Sequence, residues 1–183
     1  MHWHADFRRR LLAGDELIGT FFKTPSTMLA EVIGSTRLDA VCIDTEHSPF
    51  DRAALDGCLL ALRAAGMPAL VRIPGAAPEQ ILNALDCGAT GIVVPHLCSA
   101  SQAEAVARAA RFGAGGRGYS GSTRAAGYGG RTLAANLAEG NAQATVIGQI
   151  EDLAALECID EIAAVEGIDA LFIGMMDLTV ALG

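Results

Sequence analysis

A chain of 183 residues that is 51% apolar and 5% aromatic is long enough to bury a substantial core as one globular domain. With 13 basic residues against 21 acidic ones, a net charge of -8 and no basic stripe, it is excluded from the class of nucleic-acid binders. No run approaches the ~18 apolar residues of a membrane span, Asp15 and Glu16 interrupt any signal-peptide core, and the five cysteines form no C-x-x-C pair, so the reading is a cytoplasmic protein with reduced thiols.

In chain order, residues 5–13 read as a short helix, with His2 and His4 in a mobile terminus, and Gly19 to Phe22 as a first strand. Residues 26–34 follow as a helix. Ala40-Val41-Cys42-Ile43 is an apolar run suited to a strand buried on both faces, and it breaks at once into Asp44, Glu46 and His47. Such groups belong at a strand's carboxyl end, where loops hold polar side chains over a rigid floor. Residues 51–65 form a helix capped by Asp51 and ended by Gly66 and Pro68. The alternation repeats: strand 69–74, helix 79–87, strand 91–96, helix 101–112. Between Gly113 and Gly130 lie eight glycines, together with Arg117 and Arg124. Helix 133–141, strand 145–151, helix 153–165 and strand 170–174 complete the chain.

Polar residues close the strands at Asp44, Arg72, His96 and Glu151, with Asp177 just beyond the last one. The interval from His96 to Glu151 is about twice the others, which predicts a hidden strand ending near Arg117 to Tyr119. Seven strand-helix units, each strand apolar throughout, point to a (β/α)8 TIM-type barrel. Gly183 comes one turn past the seventh strand. The expectation is therefore one barrel domain over residues 1–183, lacking its final strand-helix unit.

Glu151 and Asp177, at the ends of neighbouring strands, would bring two carboxylates together at the mouth. A hard divalent cation relieves their repulsion and leaves coordination sites for water and substrate. Arg72 beside it suits a developing oxyanion, and His47, three residues past Asp44, suits a base. His96 has no such company and reads as structural. Gly116-Arg117-Gly118-Tyr119-Ser120-Gly121 matches G-x-G-x-x-G, but glycine-rich sequence precedes it where a dinucleotide site requires a buried strand. A flexible rim is the better reading.

Together, Ile43-Asp44-Thr45-Glu46-His47, Val71-Arg72-Ile73-Pro74, Gly116-Arg117-Gly118 with Arg124-Ala125, Gly148-Gln149-Ile150-Glu151, and Ile173-Gly174 with Asp177-Leu178 resemble the HpcH/HpaI aldolase family. The resemblance implies a metal-dependent class II pyruvate aldolase that cleaves a 4-hydroxy-2-oxo acid to pyruvate and an aldehyde. It implies Mg2+, Mn2+ or Co2+ on Glu151 and Asp177, pyruvate contacts at Gln149 and the backbone of Met176, and His47 as catalytic histidine. Arg72 would stabilise the enolate, Asp86 would make the histidine more basic, and Phe21 would lie near the aldehyde. Met175-Met176 stand where the family usually has Pro-Ala, which changes the wall beside the substrate. The family also forms hexamers, so the resemblance implies a homo-oligomer. Two rivals are an acyl-CoA lyase of the citrate lyase beta or malyl-CoA type, which would need a basic groove, and a non-catalytic barrel subunit.

Overall fold

The computed structural model describes residues 2–183, with the side chains of His2, Trp3 and Ala5 outside what is described. Six strands form one all-parallel sheet in sequential order: β1 (Gly19–Phe22), β2 (Ala40–Asp44), β3 (Ala69–Arg72), β4 (Gly91–Val94), β5 (Thr145–Ile150) and β6 (Ala170–Ile173). The inner strands β2 to β5 carry the β-branched and aliphatic residues that a pleated surface covered on both faces accepts, whereas β1 and β6 at the edges are largely uncovered. The sheet curls. Phe21 of β1 and Phe172 of β6, on the first and last strands, bring their ring centroids within 5.6 Å of each other.

The architecture therefore differs from the expected eight-stranded barrel: it is a six-stranded α/β half-barrel, open between β1 and β6. The hidden strand at Arg117 to Tyr119 does not exist, because β4 pairs directly with β5 in the register Gly91↔Thr145 to Val94↔Gly148. A Cβ on Gly91 would run into the backbone of Thr145, so this pairing needs glycine there. The long interval holds two helices in a single crossover, α5 (Ala100–Ala109) and α6 (Leu133–Gln143), joined by turns. Positive φ at Gly115, Gly127 and Gly129 (69°, 72° and 83°) is incompatible with a strand.

The outer face of the sheet packs on α5 and on α2 (Thr27–Gly34), α3 (Arg52–Ala64), α4 (Pro78–Asp86), α7 (Leu153–Glu157) and α8 (Ile159–Ala163), and α9 (Met175–Leu182) follows β6. The helix expected over 153–165 is thus two short ones that break at Cys158. Side chains of Ser26, Asp51, Ser99 and Thr132 cap α2, α3, α5 and α6, each accepting the amide three residues on, a contact worth ~1 kcal/mol. Ile43, Leu59, Leu62, Ile81, Ile92 and Ile150 fill the layer between sheet and helices.

Inside the curl, Ala40, Leu70, Val93 and Ile147 form a second cluster with Phe7. Phe7 belongs to α1 (His2–Leu12), which lies across the amino ends of the strands. Arg8 bonds Asp169 and Arg10 bonds Asp39, each at 2.7 Å, and His4 Nδ1 lies 2.6 Å from Thr90 Oγ1. His4, expected in a mobile terminus, is instead buried in this plug. With the amino end closed, the polar strand ends face the opposite mouth. Among the described residues no helix is long and apolar enough to cross a membrane.

Candidate active site

Asp44 at the end of β2 is fully buried and accepts four hydrogen bonds. Arg72 Nε and Nη2 grip its two oxygens at 3.0 and 2.7 Å, and the amides of Glu46 and His47 both reach Oδ1 at 3.1 Å. Burial alone would raise its pKa, but the bonds from Arg72 and the His47 amide outweigh it and hold the carboxyl down to about 2. Asp44 is therefore a permanent anion committed to Arg72 and to the loop. Strand register sets up this pair, since Asp44 and Arg72 are direct partners across β2 and β3. The guanidinium also stacks over Phe21, 4.9 Å from the ring centroid, and the Lys23 ammonium lies 3.3 Å from Asp44 Oδ2.

Glu46 is the carboxylate that faces the histidines. Its Oε2 lies 3.3 Å from Arg72 Nε and 3.7 Å from His47 Nε2, and its Oε1 lies 3.8 Å from His96 Nε2. Burial pushes its pKa up, Arg72 and His47 pull it back, and the nearby Glu151 adds to the rise. The imidazole of His47 is 58% exposed, and among the described residues Glu46 is the one carboxylate within 4.0 Å of it.

His96 sits at the centre of the site, contrary to its reading as a structural residue without company. Its backbone adopts φ 53°, a left-handed conformation that costs a non-glycine residue energy and clusters at functional sites. That turn aims its amide at Glu151 Oε1 (2.9 Å) and its Nδ1 at Asp152 Oδ2 (2.9 Å). The hydrogen bond to Asp152 raises the His96 pKa, with Glu151 adding to it. The signal available in the sequence was position: Pro95-His96 ends β4 beside the polar end of β5.

Glu151 is 3% exposed and has no lysine or arginine within 4.0 Å among the described residues. One oxygen takes the His96 amide; the other accepts the side-chain amide of Gln149. Gln149 Oε1 and Glu46 Oε2 are buried without a hydrogen bond. Gly174, at the turn from β6 into α9, is needed because a Cβ there would come 2.8 Å from Glu151 Cβ. Asp177 lies exposed in the first turn of α9, and Met176 is 78% exposed. Among the described residues no group of three or more His, Cys, Asp or Glu is assembled as a metal site. The donor set nevertheless suits a hard divalent cation: a buried carboxylate without a lysine or arginine, its Oε1 3.4 Å from His96 Nδ1, beside two buried oxygens that accept no hydrogen bond.

A family model for HpcH/HpaI aldolase/citrate lyase matches residues 17–183. The chain belongs to this family. It is 34% identical over 177 residues to a hydroxypyruvate/pyruvate aldolase of Roseobacter denitrificans, covering 97% of this chain and 69% of that protein. A 4-hydroxy-2-oxovalerate aldolase of Novosphingobium aromaticivorans is 38% identical over 181 residues, covering 97% and 67%. A crystal structure of an HpcH/HpaI aldolase/citrate lyase family protein from Burkholderia cenocepacia superposes with a TM-score of 0.92 at 35% identity, over 98% of this chain and 72% of that one. As an HpcH/HpaI family member this protein is a lyase of the aldolase type.

Of the residues carried over from the family, the fold brings Asp44, His47, Arg72, Phe21, Gln149 and Glu151 to one mouth, with Asp177 and Met176 on the helix that starts there. Asp86 is elsewhere. It ends α4, five residues before β4 begins, and so lies toward the amino end of the sheet, where its carboxylate pairs with Arg117. Glu46, Asp152 and His96 join the site without having been assigned to it.

Proposed function

We propose that this protein catalyses the reversible aldol cleavage of a 4-hydroxy-2-oxo acid to pyruvate and an aldehyde, through the enolate of pyruvate. The observation that carries the reading is the buried Arg72–Asp44–Glu46 cluster at one mouth with Glu151, a buried carboxylate that has no lysine or arginine beside it among the described residues, in a chain similar to pyruvate aldolases. Glu151 and Asp177 would hold a divalent cation, Mg2+, Mn2+ or Co2+. Bound there, it would polarise the keto group and make the adjacent methyl protons acidic.

The protein's own groups supply the rest. Arg72, fixed by Asp44, offers N–H donors to the oxygen on which charge develops. Gln149, held by Glu151, is oriented toward the oxo acid, and the free amides at the start of α9 around Met176 suit its carboxylate. His47, with Glu46 behind its ring, moves the proton between solvent and the substrate carbon. Phe21 supplies an apolar wall for the aldehyde. An acyl-CoA lyase is the weaker reading, since the similar proteins reported above are pyruvate and 4-hydroxy-2-oxovalerate aldolases.

We also infer that copies associate as a homo-oligomer in the cytoplasm. Met175, Met176, Val180 and Leu182 leave α9 with exposed apolar surface, and all five cysteines are free thiols.

The test is pyruvate release from a panel of 4-hydroxy-2-oxo acids with and without added Mg2+ or Mn2+. Metal-dependent release from at least one member is expected. Cleavage of a hydroxyacyl-CoA with none of the free acids turned over would replace this reading.

A further inference from the structure

A second cavity lies at the amino end of the sheet, remote from Glu46 and Glu151, and every charged side chain that lines it is basic. It encloses about 60 Å3 between Arg63 at the end of α3, Gly88 ahead of β4, Arg117 and Arg131 of the glycine-rich crossover, Gln143 of α6, and His4 of the plug. At ~30 Å3 per water this is room for about two waters, on the order of a small oxyanion.

The cations around it are incompletely compensated. Arg63 has one hydrogen bond, to the carbonyl of Arg124 at 3.5 Å, and among the described residues no carboxylate within 4.0 Å. Burial, then the like charges of Arg124 and Arg131, lower its pKa. Arg117 is 4% exposed in its side chain; one nitrogen pairs with Asp86, but its Nε is buried without any hydrogen-bond partner. Arg131 gives one nitrogen to the exposed Glu139 at 2.7 Å. Burial, then Arg63, depress His4 to about 4, so its ring is neutral at neutral pH and adds no repulsion. Gly88, at φ 95°, also lines the cavity, and a Cβ there would press on the Arg124 side chain at 3.3 Å. A buried guanidinium N–H without an acceptor, as at Arg117 Nε, is costly, and an oxyanion satisfies it in the geometry the planar fork prefers.

We propose that this cavity is a binding site for a phosphate group, either inorganic phosphate or the end of a phosphomonoester, held chiefly by Arg63 and Arg117. Occupation ties α1, α3, α6 and the glycine-rich crossover together at the closed end of the sheet. It stabilises the fold by mass action without touching the catalytic mouth.

Calorimetric titration and thermal melts with potassium phosphate, against potassium chloride at matched ionic strength, test this. In the wild type, Tm is expected to rise by roughly 3–6 °C at ten times Kd. Arg63→Gln should bind phosphate at least tenfold more weakly, with Arg131→Gln as a second variant should the first melt early. Arg9→Gln, on the exposed face of α1, and Arg72→Lys, at the other mouth, should bind as the wild type does. Tighter binding of glycerol 3-phosphate than of phosphate identifies a phosphomonoester as the occupant; weaker binding identifies the inorganic ion. Wild-type affinity in both cavity variants, loss of binding in Arg72→Lys, or no phosphate-specific rise in Tm would overturn the proposal.

Discussion

At the amino end of the sheet, Arg8 and Arg10 of α1 reach Asp169 and Asp39 at 2.7 Å and the ring of His4 rests on Thr90, so the plug closes through matched partners. At the carboxyl end the matched pair Asp44–Arg72 sits beside groups that are not matched. Glu151 is buried without a lysine or arginine, Gln149 Oε1 and Glu46 Oε2 have no hydrogen bond, and His96 holds a left-handed backbone. A matched buried charge holds elements together; a mismatched one is retained at an energetic cost that only a ligand or a reacting group offsets. Substitutions at the two ends should therefore separate turnover from stability.

The largest effect is expected from Glu151→Gln, which should bring aldol turnover below detection while leaving the melting curve close to wild type. A chelator should do the same to the wild type, with Mg2+ or Mn2+ restoring activity. Borohydride with pyruvate should leave no adduct on Lys23, whose ammonium is held 3.3 Å from Asp44; a mass increase there would mean Schiff-base chemistry. Next comes Arg72→Lys, which exchanges a two-pronged grip on Asp44 for a point charge. It should lower kcat by roughly 100-fold, the scale for an oxyanion donor, with modest change in metal affinity. Near-normal kcat would make Arg72 a purely structural partner of Asp44.

At the amino end the expectation reverses. Asp169 accepts Arg8 and the Val146 amide from a side chain only 3% exposed. Asp169→Ala should cost about 2 kcal/mol or more, the partial exposure of Arg8 trimming the value for a buried pair, and should leave kcat unchanged. At neutral pH the smallest effect comes from His4, whose contribution shows only as the solution is acidified. His4 titrates near 6.5 when unfolded and is depressed to about 4 in the fold, so the unfolded chain binds the proton first. Stability should decline by up to roughly 3 kcal/mol as pH falls from 6.5 to 4 and be fully present above 6.5. Urea titrations across that window should show a shallower decline in His4→Gln.

Much of this division was legible in residue order. Apolar runs ending in Asp44, Arg72 and Glu151 marked both the strands and the mouth they share, because a parallel strand buried on two faces leaves polar residues nowhere but its end. What could not be read was spacing without periodicity. The glycine-rich crossover was long enough for a strand, and only the positive φ of its glycines and the direct pairing of β4 with β5 show that two helices and a run of turns occupy it. The placement of the carboxylates around His47 was hidden for a related reason. Chain proximity offers Asp44 to His47 and the family resemblance offers Asp86, but within this chain the pleat commits Asp44 to Arg72 and α4 carries Asp86 to the far end, leaving Glu46. His96 depended on one backbone angle, which composition does not encode.

The central claim is that the mouth binds pyruvate through one set of groups and moves its proton through another, His47 backed by Glu46. Proton NMR of pyruvate in heavy water, at matched Mg2+ or Mn2+ concentration, measures both in one sample through line broadening and methyl deuteration. His47→Ala should still bind pyruvate but exchange its methyl protons about 100-fold to 10,000-fold more slowly, the usual worth of a positioned acid-base group. Glu46→Gln should fall between that variant and the wild type, and Glu151→Ala should lose binding and exchange together. Wild-type exchange in His47→Ala would contradict the account and remove the histidine from proton transfer.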